Sequence, residues 1–128
     1  MEKKVFIIED DDGIREMLEY ILAARGFKTI SCPSVQSYRE NIKLVLPDLI
    51  VLDIMLPDGS GADVGIELRQ NPLTAYIPIL FMTANLKFNF DGETASHDFI
   101  RKPFDIHEFV RKIDDLLRKS LAEHDPVA

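Results

Sequence analysis

Three carboxylates directly follow short apolar segments of the chain. Glu9 and Asp10 come after Val5–Ile8, and Asp53 comes after Leu49–Leu52. If these segments are buried parallel strands, their carboxyl ends meet at one edge of the sheet, where such sheets bind ligands. Carboxylates about 4 Å apart repel one another by about 1 kcal/mol in water and by several in a partly dry site. A divalent cation would offset this repulsion, and an all-oxygen ligand set favours Mg²⁺ over zinc.

Two further polar side chains follow other apolar segments. Thr83 follows Ile79–Met82, and Lys102 follows Asp98–Arg101 and precedes Pro103. They would bring a hydroxyl and a fixed positive charge to the same edge of the sheet. Each also has a structural explanation, because nearby backbone can satisfy a threonine hydroxyl and a lysine can simply be solvated.

The acidic residues have a structural alternative too. Carboxylates are favourable near the positive end of a helix dipole, which is the better explanation of Asp11 and Asp12. Asp12 is the expected N-cap of the first helix. Asp53 could instead begin a turn, because Met55-Leu-Pro-Asp-Gly59 follows it. Taken alone, Asp53 is equally consistent with a turn residue and a nucleophile.

Strand and helix patterns alternate along the chain. The predicted strands are apolar runs and two weaker candidates nearer the sheet edges: Val5–Ile8, Lys28–Ser31, Leu49–Leu52, Ile79–Met82 and Asp98–Arg101. The predicted helices run from Gly13 to Arg25, from the Ser34 cap to Pro47, from Ala62 to Gln70, and from Ile106 to Lys119 with Asp105 as cap. This alternation predicts a doubly wound α/β domain, a parallel sheet with helices on both faces.

The overall composition limits the possible functions. A chain of 128 residues suits one domain, for which we expect residues 1–119, with 120–128 as a flexible tail or the start of a linker. The net charge of −7 argues against direct binding to nucleic acid or to anionic membranes. No apolar run approaches the roughly 18 residues of a membrane span, and the single cysteine, Cys32, cannot form an internal disulfide. We therefore expect a cytoplasmic protein.

Four sequence blocks lie at the predicted strand ends: Phe6-Ile-Ile-Glu-Asp-Asp-Asp-Gly-Ile-Arg15, Asp48-Leu-Ile-Val-Leu-Asp-Ile-Met-Leu-Pro-Asp-Gly-Ser-Gly61, Met82-Thr-Ala84 and Phe99-Ile-Arg-Lys-Pro-Phe104. In this order they resemble the receiver domains of bacterial response regulators, over residues 5 to about 119. The resemblance implies a flavodoxin-like sheet of five parallel strands in the order 2-1-3-4-5. It also implies a two-component phosphorelay, with a sensor histidine kinase or a histidine phosphotransfer protein as partner.

The resemblance further implies a role for each site residue. Asp53 is the phosphoacceptor; Asp10, Asp53 and the backbone carbonyl of Met55 bind Mg²⁺ directly, and Glu9 acts mostly through water. Lys102, whose bond to proline is typically cis in this family, pairs with the acceptor and then with the phosphoryl group.

Two residues would report the phosphorylated state. Thr83 is expected to move toward the phosphoryl group, and Phe99 matches the aromatic residue that turns inward when the threonine moves. A fixed, core-filling Phe99 is nearly as consistent with the sequence. Such a protein catalyses its own phosphotransfer and dephosphorylation and is not otherwise an enzyme.

The chain departs from the family between Thr83 and Phe99. Leu86, Phe88 and Phe90 alternate with a period near two, which predicts a shortened or missing fourth helix. Phe88 and Phe90 would either fill the core in its place or form a surface for a partner, and core filling is favoured.

Two other functions compete with the phosphoacceptor. A non-phosphorylated receiver could act purely as a protein-interaction module, although every acidic, threonine and lysine position is present. A haloacid-dehalogenase-type phosphatase needs a second aspartate two residues after the nucleophile, where this chain has Met55. The sequence identifies neither the cognate kinase nor the output, which could be a separate protein or a domain beyond residue 128.

Overall fold

The computed structural model describes residues 2–84 and 96–124, with side chains described as far as residue 120. Within these ranges five strands form one parallel sheet, two short strands form a hairpin, and four helices flank the sheet. The elements are β1 (Lys4–Ile8), α1 (Asp12–Ala24), β2 (Lys28–Cys32), α2 (Val35–Ile42), β3 (Leu49–Asp53), β4 (Met55–Leu56), β5 (Gly59–Ser60), α3 (Gly61–Gln70), β6 (Ile79–Thr83), β7 (His97–Arg101) and α4 (Ile106–His124).

The main sheet has the order β2-β1-β3-β6-β7, all parallel. With the hairpin strands left out of the count, this is the order 2-1-3-4-5, so the predicted doubly wound fold is confirmed. β3 and β6 are buried at every position, as expected of central strands covered on both faces. The weaker candidates, β2 and β7, lie at the two edges.

The sheet separates two apolar layers. α1 and α4 cover one face through Leu18, Leu22, Phe109, Ile113 and Leu116. α2 and α3 cover the other face through Val35, Tyr38, Val64 and Leu68. Alternate residues of each strand supply the two layers, and the burial of these side chains at roughly 25 cal/mol per Å² is the main force holding the helices in place.

The N-cap of α1 differs from the prediction. Asp11, not Asp12, has the extended backbone of an N-cap, and its side chain accepts the Ile14 N–H at 2.9 Å. The backbone turns one residue earlier than expected, so Asp12 is already helical. Ser34 caps α2 as predicted, accepting the Ser37 N–H at 3.1 Å.

Helix ends were predicted less well than helix positions. α2 ends at Ile42, five residues before Pro47, and α4 continues to His124, five residues beyond Lys119. Asp105 lies at the start of α4, where its side chain accepts the His107 N–H at 2.7 Å. No helix in the described ranges is long and apolar enough to span a membrane.

The hairpin of β4 and β5 was not predicted, and it follows β3 directly. Gly61, at its end, lies so close to β3 that a Cβ there would be 2.0 Å from the Asp53 carbonyl oxygen. The Gly61 N–H also donates to the Ile54 carbonyl at 2.8 Å. Only glycine permits this approach, so α3 begins directly against the backbone of the site.

The predicted shortened or missing fourth helix falls in residues 85–95, together with Phe88 and Phe90. These residues lie outside the described ranges.

Candidate functional site

The three predicted carboxylates meet at the carboxyl edge of the sheet. Each of Glu9, Asp10 and Asp53 offers an oxygen, and these oxygens lie within 4.8 Å of one another. Glu9 is completely buried and Asp53 is 6% exposed, whereas Asp10 is exposed to solvent. β1 pairs with both β2 and β3, which brings the residues after β1 beside Asp53. The pairing with β2 continues one residue past β1, because the Glu9 N–H donates to the Cys32 carbonyl at 3.1 Å.

Lys102 brings a positive charge into the carboxylate cluster. Its Nζ donates to Asp53 Oδ2 at 2.6 Å and also to Glu9 Oε1. The Lys102 N–H donates to the Thr83 carbonyl at 2.9 Å, and the bond between Lys102 and Pro103 is cis, as the resemblance implied. A solvated lysine is thus the wrong interpretation, because the side chain is 20% exposed and bridges two carboxylates.

The site brings together three carboxylates and the positive charge of Lys102. Burial, with the hydrogen bond to Asp53, raises the pKa of Glu9 from 4.5 to about 7, although Lys102 acts in the opposite direction. Burial alone would lower the pKa of Lys102, but its hydrogen bonds to Asp53 and Glu9 raise it overall. One lysine therefore faces three carboxylates, and the pKa of Glu9 stays raised because the effect of burial outweighs that of Lys102.

The donor set fits a hard divalent cation. Carboxylate oxygens are the preferred ligands of Mg²⁺, and the described residues around the cluster offer no thiolate or imidazole. The Met55 N–H donates to Asp53 Oδ1 at 3.0 Å, so the backbone of Met55 lies beside the acceptor. The geometry is compatible with the predicted ligand role of the Met55 carbonyl, which remains a prediction.

Thr83 and Phe99 lie near one another in the register of the sheet. Thr83, 7% exposed, ends β6 two residues after Phe81, so the two side chains point to the same face. Phe99 pairs with Phe81 across β6 and β7, and their rings stack at 5.6 Å. The ring of Phe99 is partly buried against the α2 and α3 layer. The movement of Phe99 on phosphorylation stays a prediction.

Two residues, Arg15 and Asp58, make hydrogen bonds at or near the site that were not foreseen from the sequence. Arg15 Nη1 donates to the backbone carbonyl of Glu9 at 2.9 Å and of Asp10 at 3.4 Å. The Asp58 carboxylate accepts the N–H groups of Val35 and Gln36 at 2.8 and 2.9 Å. The spacing of Arg15 from the acidic run was a usable signal. Asp58 binds residues more than 20 positions away, which no local pattern reveals.

Comparison with known proteins gives the family of this chain and agrees with its fold. The family model of the response regulator receiver domain matches residues 5–114, so the chain belongs to that family of two-component signalling domains. The phosphate regulon transcriptional regulatory protein PhoB of Escherichia coli is 34% identical over 122 residues, 93% of this chain and 53% of PhoB. The alkaline phosphatase synthesis transcriptional regulatory protein PhoP of Bacillus subtilis is 34% identical over 124 residues, 94% of this chain and 50% of PhoP. The chain spans about half the length of these curated relatives.

Solved structures of receiver domains share the fold. The signal receiver domain of a histidine kinase from Syntrophus aciditrophicus superimposes with a TM-score of 0.79 and 25% identity, covering 91% of this chain and 90% of that domain. A receiver domain of a Pseudomonas aeruginosa sensor histidine kinase, solved with magnesium in its active-site cleft, has a TM-score of 0.80 and 21% identity, covering 92% and 99%. The second likeness shows the fold alone.

Proposed function

We propose that this receiver domain accepts a phosphoryl group on Asp53 from the phosphohistidine of a sensor histidine kinase or a histidine phosphotransfer protein. The change of state would alter binding to a partner. The observation that carries the proposal is the placement of Asp53, whose Oδ2 is 2.6 Å from Lys102 Nζ and whose oxygens are grouped with those of Glu9 and Asp10. Membership of the receiver family supports it.

The reaction is a phosphoryl transfer between two side chains. A carboxylate oxygen of Asp53 attacks phosphorus, the bond between phosphorus and the histidine nitrogen breaks, and the nitrogen keeps the electron pair. Lys102 Nζ, already beside the attacking carboxylate, would hold an oxygen of the incoming group, because such reactions depend mainly on positioning and charge neutralisation. Mg²⁺ held by Asp10, Asp53 and the Met55 carbonyl, with Glu9 acting through water, would neutralise the remaining phosphoryl charge.

The proposed readout of phosphorylation starts at Thr83. Thr83 ends β6, beside β3, which ends in Asp53, and its hydroxyl would turn toward a phosphoryl group on Asp53. Phe99 stacks on Phe81 of the same strand, so a movement of Thr83 would change the packing beside that ring. The side chain of Phe99 has no hydroxyl, so this switch would depend on packing alone.

The test is phosphorylation by acetyl phosphate in the presence of Mg²⁺. Intact-protein mass spectrometry should show the addition of one acid-labile phosphoryl group, and chelation of Mg²⁺ should prevent it. Asp53→Asn should remain unmodified. Asp48→Asn is the matched control, because Asp48 also accepts a backbone N–H, that of Lys4 at 2.7 Å. Asp48 precedes β3 and so lies at the amino ends of the strands, away from the site.

A wild-type protein that gains no mass under these conditions would contradict the proposal. That result would favour the non-phosphorylated interaction module.

The partners follow from the same proposal. The phosphodonor would be a histidine kinase or a histidine phosphotransfer protein, in the cytoplasm. Two relatives are named as transcriptional regulatory proteins, and this chain matches about half of each. The output would therefore be a separate protein or a further domain. The chain itself, with a net charge of −7, is not expected to bind nucleic acid directly.

A further inference from the structure

Asp58, at the turn of the β4–β5 hairpin, makes an unusual pair of hydrogen bonds. Its Oδ1 accepts the Val35 N–H at 2.8 Å and its Oδ2 accepts the Gln36 N–H at 2.9 Å. These are the first two N–H groups of α2, which have no partner within the helix. The hydrogen bonds lower the pKa of Asp58, so its carboxylate is ionised at neutral pH. The bonds therefore combine a charged acceptor with the positive end of a helix.

α2 does not depend on Asp58 for its own N-cap. Ser34 already occupies that position and accepts the Ser37 N–H at 3.1 Å. The carboxylate instead connects the helix to a segment 22 and 23 residues further along the chain. Gly59, beside Asp58, lies against Val35, because a Cβ on Gly59 would be 3.1 Å from the Val35 side chain. The tip of the hairpin is thus fixed to the start of α2.

The hairpin needs such an attachment. Each of its strands has only two residues, and an isolated hairpin of this size is not stable in water. Its first residue, Met55, is 79% exposed and so packs little, and its backbone position depends on hydrogen bonds. The Met55 N–H donates to Asp53 Oδ1, and Gly61 returns the chain to Ile54. The third attachment is the one made by Asp58.

The start of α2 is itself attached to the carboxylate cluster. The carbonyl of Cys32, two residues before Ser34, accepts the Glu9 N–H at 3.1 Å. Glu9 and Asp53 are joined by Lys102. The connections therefore form a closed path from Glu9 through the end of β2 and the start of α2 to Asp58, then along the hairpin to Asp53.

The geometry points to Asp58 as a positioning residue of the phosphoacceptor site, which fixes the backbone of Met55 by tying the hairpin to α2. This rests on the proposed function, in which the Met55 carbonyl is a ligand of Mg²⁺. Partners that orient metal ligands typically contribute about 10-fold to 100-fold in metal affinity. Because Asp58 acts on a single ligand, through the hairpin, we expect an effect near the lower end.

The test compares Asp58→Ala, Asp58→Asn and the control Asp48→Asn. Asp58→Ala removes both acceptors and should weaken Mg²⁺ binding about tenfold in isothermal titration calorimetry. Asp58→Asn keeps one oxygen acceptor and should fall between Asp58→Ala and wild type. Asp48→Asn also weakens a hydrogen bond between a carboxylate and a backbone N–H, but at the amino ends of the strands. It should leave Mg²⁺ affinity unchanged.

Phosphorylation kinetics and hydrogen exchange separate positioning from simple stability. With acetyl phosphate, Asp58→Ala should need about tenfold more Mg²⁺ for half-maximal rate and regain most of the rate at saturation. In metal-free protein, exchange of the Met55 amide hydrogen should be faster in Asp58→Ala and unchanged in Asp48→Asn. If Asp58→Ala does not fold, the same comparisons are made with Asp58→Asn.

The positioning role would be overturned if the Asp58 variants bound Mg²⁺ as tightly as Asp48→Asn does and exchanged the Met55 amide hydrogen at the same rate. The proposed function would stand in that case if the wild type is phosphorylated. A wild type that binds Mg²⁺ without accepting a phosphoryl group would overturn the proposed function instead, and the Mg²⁺ and exchange measurements would still decide the role of Asp58.

Discussion

Glu9 should make the metal-free protein less stable as the pH rises toward neutrality. Burial raises its pKa from 4.5 to about 7, so between these pH values the folded protein retains a proton that the unfolded chain releases. Stability falls with rising pH wherever the folded state binds more protons. The loss should therefore begin near pH 4.5 and end near pH 7. Lys102 stays protonated throughout this window, because its pKa is raised above 10.5.

The size of the effect follows from the change in pKa. A shift of about 2.5 pH units, at about 1.4 kcal/mol per unit, corresponds to a loss on the order of 3 kcal/mol in the free energy of unfolding. A small domain is usually stable by only about 5 to 15 kcal/mol, so such a loss is readily measured. Glu9→Gln removes the ionisable group and retains an oxygen acceptor for Lys102. It should lack this part of the pH dependence.

The assay is urea unfolding of wild type and Glu9→Gln in the presence of a chelator, from pH 4.5 to pH 8. The difference between their free energies of unfolding should change by about 3 kcal/mol in favour of Glu9→Gln and then level off above pH 7. Glu16→Gln, on the exposed face of α1, controls for the loss of one carboxylate. Saturating Mg²⁺ should reduce the wild-type loss, because the ionised carboxylate then faces a cation. Parallel curves for wild type and Glu9→Gln would refute the reasoning.

Two further substitutions test the packing and charge of the site, and a third tests hydrogen bonds to backbone carbonyls away from it. Gly61→Ala would place a Cβ 2.0 Å from the Asp53 carbonyl oxygen; thermal unfolding should show a loss of about 2 kcal/mol or more, and acetyl phosphate should label the protein more slowly. Lys102→Met leaves two buried carboxylates without their cation, so urea unfolding without metal should show a loss of about 3 kcal/mol at pH 8, while calorimetry should show tighter Mg²⁺ binding. Arg69→Met removes the guanidinium that donates to the Ile77 carbonyl at 2.8 Å, and unfolding should show a loss of about 1 to 3 kcal/mol with Mg²⁺ affinity unchanged.

The strands and the doubly wound class of this domain were predictable from the apolar pattern, whereas the strand order came from the resemblance to receiver domains. Short runs that are apolar throughout, such as Leu49–Leu52, favour central strands covered on both faces, and their alternation with helical periods restricts the connections. Helix ends were harder to predict. The apolar period of α2 continues past Ile42 to Val45, which packs on the same layer although it lies beyond the helix. Side-chain periodicity records burial, and a loop residue can be buried without being helical.

In the candidate site, too, some positions were predictable from the sequence and others were not. The positions of Glu9, Asp10, Asp53 and Lys102 followed from one rule, that the carboxyl ends of parallel strands converge. The N-cap of α1 was missed by one residue, because Asp11 and Asp12 are equally good capping residues and only the backbone angles distinguish them.

The hairpin and its attachment to α2 depend on contacts between distant parts of the chain. Asp58 lies in a turn sequence, Leu-Pro-Asp-Gly, that any surface loop could carry, and its partners are backbone N–H groups, which leave no trace in the sequence. Gly61 is similar, because the neighbour that excludes a side chain is the backbone of Asp53. Residues whose backbone partners are close in the sequence, such as the cap Ser34, can therefore be found from sequence, whereas residues that bind the backbone of a distant segment, such as Asp58, require the structure.

The hydrogen bonds that hold the backbone around the site keep the carboxylates close together. In the absence of a metal ion, ionised Glu9 is unfavourable because it is buried beside Asp53, which raises its pKa. Repulsion alone would move the carboxylates apart unless the surrounding backbone were held in place. The hydrogen bonds of Asp58 to α2, of Arg15 to Glu9 and of Gly61 to Ile54 oppose that movement at three separate points. The chain thus holds an unfavourable arrangement of charge ready for a cation and a phosphoryl group, so that binding energy need not be used to assemble the site.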